Sequence, residues 1–265
     1  MYTEYQPSHL LVPYIDSYWE FKGNPDYGMR IHILPDGCTD FIFTLGEVAN
    51  AVEEGSLIMQ PYRSYFVGPM TKYSELVTYT ESIHMFGVRF LPCGLSCFTN
   101  LPLHEFVNSR VSTNEMKAVF DDTFIEKLGE QKHVTDRIRV VEEYLLAYLA
   151  RHYQPADSHV AMAVNMINHS KGKRSVRSLM DDVCLCQRHF ERKFKHYTGF
   201  TPKEYSRIVK FKNAVELLRT TTSPNLLTTA VDAGYYDLAH FSKEIKSMSG
   251  NTPASFLSLT VPEET

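Results

Sequence analysis

The chain has 265 residues, of which 43% are hydrophobic and 22% are charged, and its formal net charge is −4. This is ordinary globular composition, and the length allows one large or two medium domains. No apolar run approaches the roughly 20 residues needed to span a bilayer, and residues 1–10 lack the basic start and apolar stretch of a signal peptide. We therefore expect a cytoplasmic protein with no membrane partner.

The charge is unevenly distributed along the chain. Residues 1–155 contain 12 Lys and Arg against 20 Asp and Glu, whereas residues 156–265 contain 15 against 11. An acidic half joined to a basic half indicates that only the second half meets a polyanion.

Residues 1–111 are predicted to form a β-rich domain. Turn signals such as Pro35-Asp36-Gly37 separate short runs of β-branched and aromatic residues. The predicted strands are Ile31–Leu34, Phe41–Leu45, Leu57–Met59, Tyr65–Val67, Leu76–Thr80 and His84–Phe90. Many short strands at this spacing favour a jelly roll or a cupin-like barrel.

Two helices are predicted over residues 112–155. The first follows a cap at Ser112 and carries apolar residues at helical spacing from Met116 to Leu128. The second runs from Thr135 to Tyr153, and Pro155 marks the boundary to the next domain. These helices either form a dimer seam or pack under the barrel, and we favour the dimer.

Residues 156–265 are predicted to be all helical and to contain an internal repeat. Residues 174–205 parallel residues 226–256, and each copy has a short helix, a turn and a second helix. The second helices carry Phe190 with Phe194 and Phe241 with Ile245 on their inner faces. A helix from Pro202 to Leu218 links the copies. The pattern predicts two helix-turn-helix motifs, whose second helices enter the major groove about one turn, or roughly 34 Å, apart.

The repeat resembles the AraC/XylS family of bacterial transcription activators over about residues 158–257. The linker GFTPKEY…KFKNAVELL and the tail GYYDLAHFSKEIKSMSGNTPASF carry this resemblance. Residues 5–110, with Trp19, ILPDGCTDFIF (33–43), VGPM (67–70) and FGVRFLPCG (86–94), resemble an N-terminal domain of uncharacterised function found in one branch of the family. The whole chain is thus expected to be a two-domain α+β protein.

The resemblance and the outward positions together predict the DNA-binding residues. These are Gln187, Arg188, Glu191, Arg192 and Lys195 in the first motif, and Ala239, His240, Lys243 and Lys246 in the second. The first motif is expected to recognise bases and the second mainly to hold the phosphate backbone. Four residues depart from the family pattern: Cys186 replaces a capping serine, Cys184 a turn glycine, Met180 a small alanine, and Leu238 a common glutamine.

Candidate ligand-binding residues in the N-terminal domain are Trp19, His32, His84 and Arg89. Spaced His-x-His ligands do not occur among them, so we predict no metal and no cofactor. The five cysteines, Cys38, Cys93, Cys97, Cys184 and Cys186, lack the spacing of a zinc or redox site and are expected to be buried small hydrophobes.

The sequence thus predicts a DNA-binding transcription regulator, not an enzyme, that acts as an activator under a small-molecule effector. Its expected partners are double-stranded DNA, RNA polymerase and a second copy of the chain. One alternative is a regulator without a small ligand, controlled by a protein partner or by dimerisation. A more distant alternative is a cysteine-based methyl acceptor for DNA repair, which requires an activated cysteine cluster.

Overall fold

The computed structural model describes residues 1–48, 50–51, 59–116, 119–120, 122–183, 185–221 and 225–257. Cys184 and the first two residues of the predicted strand Leu57–Met59 lie outside this description. Within it, the strands are β1 (Tyr2–Tyr5), β2 (Ile15–Gly23), β3 (Arg30–Ile33), β4 (Thr39–Thr44), β5 (Asn50–Ala51), β6 (Ser64–Val67), β7 (Ser74–Val77), β8 (Ile83–Phe90) and β9 (Arg110–Ser112). Most predicted strands are confirmed; the sequence did not predict β1, β2, β5 and β9.

The strands form two antiparallel sheets. The larger has the order β1-β2-β8-β4-β6-β9, and the smaller has the order β3-β7-β5. Strand β2 pairs with β8 along nearly its whole length, with Trp19 opposite Gly87. The predicted double-sheet architecture of a β-rich N-terminal domain is therefore confirmed.

The central strands of the larger sheet, β2, β8, β4 and β6, are covered on both faces. One face packs towards the small sheet through Trp19, Ile42, Tyr65 and Met85. The opposite face is rich in phenylalanine and belongs to a second apolar cluster, which contains Phe41, Phe43, Phe66, Phe86 and Phe90. Burial on both faces removes the simple alternation of apolar and polar residues that marks a half-buried strand.

The helices within the described residues are α1 (Asp122–Gly129), α2 (Val134–His152), α3 (Ser158–His169), α4 (Val176–Val183), α5 (Gln187–Thr198), α6 (Pro202–Thr220), α7 (Leu226–Asp232) and α8 (Leu238–Ser249). The predicted helices from α2 onwards are confirmed to within a few residues. None of the helices within the described ranges is long and apolar enough to cross a membrane.

The predicted helix between Ser112 and Leu128 is wrong in its first half. Ser112 pairs with Tyr65 as the last residue of β9, and Thr113–Glu115 form a short 3-10 turn. Buried Thr113 forms a hydrogen bond with Ser64 through the two hydroxyl groups, which holds this segment on the sheet. Within the described residues, the first α-helix of this region begins at Asp122.

Helices α1 and α2 pack on the phenylalanine-rich face of the sheet. Phe124, Leu128, Val141 and Leu145 belong to the same buried cluster as Phe43. The apolar residues of α1 and α2, which the sequence assigns to a dimer seam or to packing under the barrel, therefore pack against the sheet of the same chain.

Helices α3 to α8 share one core, which is organised around α6. The apolar side of α6 carries Ile208, Phe211, Val215 and Leu218, as its sequence predicts. Phe190 and Phe194 of α5 join this core from one side, and residues of α8 join it from the other. Both motifs are thus fixed to a single central helix.

Candidate DNA-binding interface

The first helix-turn-helix motif consists of α4 and α5. Phe190 and Phe194 are fully buried, whereas Arg188, Arg192 and Lys195 are exposed. Positions i, i+4 and i+7 lie on one face of a helix, so α5 presents three cations along a single outer stripe. A basic stripe of this kind is suited to a polyanionic groove.

Two of the other predicted contact residues of α5 bond to each other. The Gln187 Nε2 atom donates to Glu191 Oε1 at 2.9 Å, and Arg192 lies 3.1 Å from the ring of His189. The partner of Glu191 is therefore the side-chain amide of Gln187.

The two ends of α5 differ in how they are capped. Cys186 is the N-cap and makes no side-chain capping bond, as expected for a thiol where serine or aspartate is preferred. Gly199 ends the helix in the left-handed conformation, with φ of 82°. Cys186 is also exposed, so the prediction of buried cysteines is wrong for it, while Cys38, Cys93 and Cys97 are buried as predicted.

The second motif consists of α7 and α8, and both helices have real N-caps. Asn225 accepts from two backbone N–H groups at the start of α7. Asp237 accepts from the His240 N–H at 2.7 Å at the start of α8. Ala239, His240, Lys243 and Lys246 are exposed, as predicted, and Phe241 and Ile245 are buried.

Sequence reasoning missed Tyr236, which lies in the turn before α8. Its side chain is 91% exposed, whereas its neighbour Tyr235 is only 6% exposed. Tyr235 packs edge-on against the ring of His240 at 5.5 Å. The sequence signal was the run Gly234-Tyr235-Tyr236-Asp237, because two successive tyrosines after a turn glycine cannot both enter the core.

Helix α6 holds the second motif through polar contacts as well as its core. The Arg207 guanidinium donates two hydrogen bonds to Glu244 of α8, at 3.0 and 3.1 Å. Lys210 Nζ donates to the Gly234 carbonyl at 3.2 Å, and burial lowers the pKa of Lys210. Bidentate arginine pairs fix geometry more tightly than single contacts, so the turn and α8 are rigidly placed.

The N-terminal ends of α6 and of α3, the first helix of the helical domain, are also fixed by side-chain hydrogen bonds. Thr201 and Glu204 form a complete capping box at the N-terminus of α6. Asp157 caps α3 by accepting from two backbone N–H groups, and it also accepts from Lys193 Nζ of α5 at 2.6 Å. This lysine, with the backbone bonds, lowers the Asp157 pKa against the opposing effect of burial.

The N-terminal domain contacts the ends of both recognition helices. A Cβ atom added at Gly199 would collide with the ring of Pro69, and one added at Gly250 would lie 2.7 Å from Tyr73 Cζ. Gly250 ends α8 with φ of 73°. Since α5 and α8 each have 12 residues, their N-terminal ends lie about 18 Å from these contacts.

The N-terminal domain also contacts the linking helix. In the predicted turn Pro35-Asp36-Gly37, the glycine is left-handed, with φ of 87°. A Cβ atom at Gly37 would lie 2.8 Å from Tyr205 Cε2, and Lys212 Nζ donates to the Asp36 carbonyl at 3.2 Å. The same turn is therefore packed against α6.

Two of the four candidate ligand residues meet at one carboxylate. Trp19 Nε1 donates to Asp40 Oδ1 at 2.7 Å, and Arg89 Nε lies 3.3 Å from the same oxygen and 3.4 Å from Asp36 Oδ2. Burial raises the Asp40 pKa, and the Arg89 charge opposes that rise. Trp19 packs over Gly87, where an added Cβ would overlap the indole. The polar atoms of Trp19 and Arg89 therefore already contact carboxylates within the protein.

The two histidines lie elsewhere and have partners of their own. His84 Nε2 is 2.9 Å from Glu20 Oε1, which also accepts from Arg137 at 2.9 Å, and burial lowers the His84 pKa. His32, in the small sheet, is 3.0 Å from Glu75. His84 and His32 thus contact carboxylates other than the one that Trp19 and Arg89 share, and ligand binding by these four residues stays a prediction.

The domain boundary contains two clefts that the sequence did not predict. One, of about 330 Å³, is lined by side chains of both domains, including Asp16, Asp36, Cys38, Tyr205 and Asn213. The other, of about 320 Å³, lies between Tyr14 and α3. Among the described residues, no group of three or more His, Cys, Asp or Glu side chains is arranged to hold a metal ion.

Comparisons with known proteins agree with this architecture. A family model described as a helix-turn-helix domain matches residues 179–258, and one described as a domain of unknown function, DUF6597, matches residues 3–112. A structure of ToxT from Vibrio cholerae is similar, with a TM-score of 0.55 at 9% identity, covering 93% of this chain and 100% of that one. Another, described as unsaturated fatty acid-bound ToxT, gives a TM-score of 0.51 at 12% identity, covering 94% and 98%. No curated protein matches the chain.

Two helix-turn-helix motifs on a common core, each with an exposed basic recognition helix, define a DNA-binding transcription regulator. The helix-turn-helix model and the DUF6597 domain that precedes it agree with that class. The helix-turn-helix domain matched over residues 179–258 is of the AraC type.

Proposed function

We propose that the N-terminal domain controls how the two motifs meet promoter DNA, and that a small-molecule effector biases this control. The protein acts in the cytoplasm as an activator that binds double-stranded DNA and cooperates with RNA polymerase. The observation that carries the proposal is the contact of Pro69 and Tyr73 with the C-terminal ends of both recognition helices. A small displacement of that surface moves both helices together.

The proposed contacts with DNA divide between the motifs. In α5, exposed Arg188 and Arg192 hydrogen-bond to guanine edges, with Gln187, Glu191 and Lys195 beside them. In α8, Lys243 and Lys246 bind phosphate, and Ala239 and His240 lie at the end of the helix that enters the groove.

The interdomain cleft is our proposed effector site. The Nδ2 atom of Asn213 is buried without a hydrogen-bond partner, and Asn213 lines the cleft of about 330 Å³ together with Asp36 and Tyr205. An unpartnered buried amide favours a ligand that offers an acceptor. ToxT, which has a similar fold, is described as bound to an unsaturated fatty acid and to (E)-4-(8-methylnaphthalen-1-yl)but-3-enoic acid.

Coupling between the domains can be tested on the full chain with Pro69→Ala and Tyr73→Ala combined. Duplexes selected by the parent protein from random DNA would be used as probes, either with both half-sites or with one. The double variant should change affinity for the two-site duplex and leave the one-site duplex unaffected. Tyr79→Ala, at an exposed tyrosine of the same domain, is the matched control. Equal affinities of parent and double variant for both duplexes would contradict control by the N-terminal domain.

The effector site can be tested separately by thermal unfolding of the full chain against a panel of small polar metabolites. A compound bound in the cleft should raise the unfolding midpoint of the parent and of Asn165→Leu, which lines the other cleft, but not of Asn213→Leu. Compounds that stabilise all three proteins equally would count against this site. If no compound acts but the Pro69 and Tyr73 variant changes DNA binding, control by a protein partner or by dimerisation becomes the better account.

The buried thiols argue against the methyl-acceptor alternative. Burial raises the pKa of Cys38, Cys93 and Cys97, and a nucleophilic cysteine requires the opposite shift. The proposed role in DNA binding requires no nucleophilic cysteine.

A further inference from the structure

The N-terminal end of α8, together with the turn before it, presents apolar side chains outward. Tyr236 is 91% exposed and Leu238 is 38% exposed, and Ala239 between Leu238 and His240 is exposed as well. The corresponding turn of α5 instead exposes the polar Gln187 and Arg188. The two recognition helices therefore offer different chemistry at the ends that enter DNA.

The two polar residues at this end of α8, Asp237 and His240, have contacts within the protein. The Asp237 carboxylate caps α8 by accepting from the His240 N–H, and the His240 ring lies against Tyr235. Lys243 lies more than a turn further along the helix. Direct hydrogen bonding to base edges is therefore left mainly to the other motif.

The apolar groups are held in place firmly. Lys210 bonds to the Gly234 carbonyl just before the turn, and Arg207 holds α8 through Glu244. Exposure of large apolar groups on a rigid element is a feature of binding surfaces. The N-terminal end of the second helix of such a motif faces the base edges of the major groove.

The major-groove edge of DNA carries one apolar group, the C5-methyl of thymine. We propose that Leu238 and Ala239 pack against thymine methyl groups, with the Tyr236 ring beside them, so that the second motif selects thymine by apolar contact. The first motif then selects guanine through arginine, and each motif has its own base preference. This inference rests on the proposed function, because it requires the α8 end to face DNA.

The test uses the full chain and a duplex that it selects from random DNA. Each thymine is replaced in turn by deoxyuridine, which removes the methyl group and keeps every hydrogen-bonding group of the base. Burial of one methyl group predicts a loss of affinity of about fourfold at each contacted thymine. Positions contacted by α8 should form a short cluster within one half-site.

Variants connect those positions to the residues. Leu238→Gln should abolish the deoxyuridine effect at the cluster and shift preference there towards adenine, which glutamine contacts through two hydrogen bonds. Tyr236→Ser should weaken the same effect. Leu227→Gln is the matched control, since Leu227 is 55% exposed on α7 in the same motif, and it should keep the parent profile. Tyr236, Leu238 and Leu227 are all exposed. Equal unfolding midpoints of the parent and the three variants would therefore show that folding is intact.

The outcomes separate this inference from the function on which it rests. Selection of a duplex with no deoxyuridine effect in either half-site would overturn thymine selection and leave DNA binding standing. A deoxyuridine effect that persists in Leu238→Gln and Tyr236→Ser would overturn the residue assignment, and the exposed turn would then be a surface for another protein. Failure to select any duplex would overturn the proposed function itself.

Discussion

Gly199 and Gly250 end the two recognition helices in the same left-handed conformation, and both lie against the N-terminal domain. Their φ angles are 82° and 73°, and their neighbours across the boundary are Pro69 and Tyr73. The presence of a glycine at a helix end is usually explained by its left-handed backbone alone. Here the missing side chain also admits another domain, so one residue type serves both helix termination and domain contact.

Gly199→Ala should therefore destabilise the protein more than an equivalent change without a neighbour. Gly28 has φ of +79° and no atom within 4 Å of an added Cβ, so Gly28→Ala measures the backbone cost alone, about 1–2 kcal/mol. Gly199→Ala adds the collision with Pro69 and should exceed that value in chemical unfolding of the full chain. Pro69→Ala should recover part of the excess in a double-mutant cycle. Equal costs at Gly28 and Gly199 would show that the contact can relax freely.

Cys186→Ser should stabilise the first motif. Cys186 makes no capping bond, and a serine hydroxyl can accept from the exposed N–H groups of the first turn of α5, for a gain of about 1 kcal/mol. Because Cys186 is exposed, the change costs no core packing. Cys186→Ala, which has neither thiol nor hydroxyl, is the control and should give no gain. The measurement is the unfolding midpoint, and equal midpoints for the serine and alanine variants would refute the capping argument.

The helical half of the chain could be predicted closely from its sequence because its ends carry explicit signals. Thr201 with Glu204 marks the start of α6, and Gly199 and Gly250 mark the ends of α5 and α8. Strand β2, from Ile15 to Gly23, escaped prediction because three successive buried residues, from Ser17 to Trp19, interrupt the alternating pattern of burial. That pattern arises from a sheet covered on both faces, which depends on distant helices.

The candidate interface could be predicted in part. Outward positions of α5 and α8 follow from helical periodicity, which is why the exposure of Arg188 and Lys246 could be predicted. The contact of both Trp19 and Arg89 with Asp40 could not be predicted, because it depends on strand register. The contact between Pro69 and Gly199 joins residues 130 positions apart and leaves no local signal.

Acidification should lower the stability of the protein through His196, which lies at the boundary between the domains. Burial lowers the pKa of His196 on α5, and the neighbouring His104 of the N-terminal domain lowers it further, while Glu105 opposes them. The two rings lie 6.4 Å apart. A folded-state pKa below the ordinary value means that the unfolded chain binds the proton more readily, so the stabilisation is complete above about pH 6.5 and is lost as the pH falls below it.

His196→Gln should accordingly reduce the loss of stability between about pH 7.5 and 5.5, as followed by unfolding midpoints. The loss should not vanish, since burial lowers the His84 pKa in the same direction. His9→Gln, at an exposed position, serves as the control. A pH profile of His196→Gln that coincides with the parent would remove His196 from this account.

Arg188→Ala and Lys246→Ala should affect DNA binding in different ways. Loss of a bidentate contact to guanine lowers discrimination at that base by about 1–3 kcal/mol, so Arg188→Ala should relax the base preference. Lys246→Ala should weaken binding evenly across sequences and lower the slope of log affinity against log salt by about one unit, as the loss of one phosphate contact predicts. Arg139→Ala, at an exposed arginine of α2, should do neither. Binding of all three variants to a panel of selected and scrambled duplexes at several salt concentrations separates the effects. An unchanged base preference in Arg188→Ala would mean that α5 meets DNA with another face.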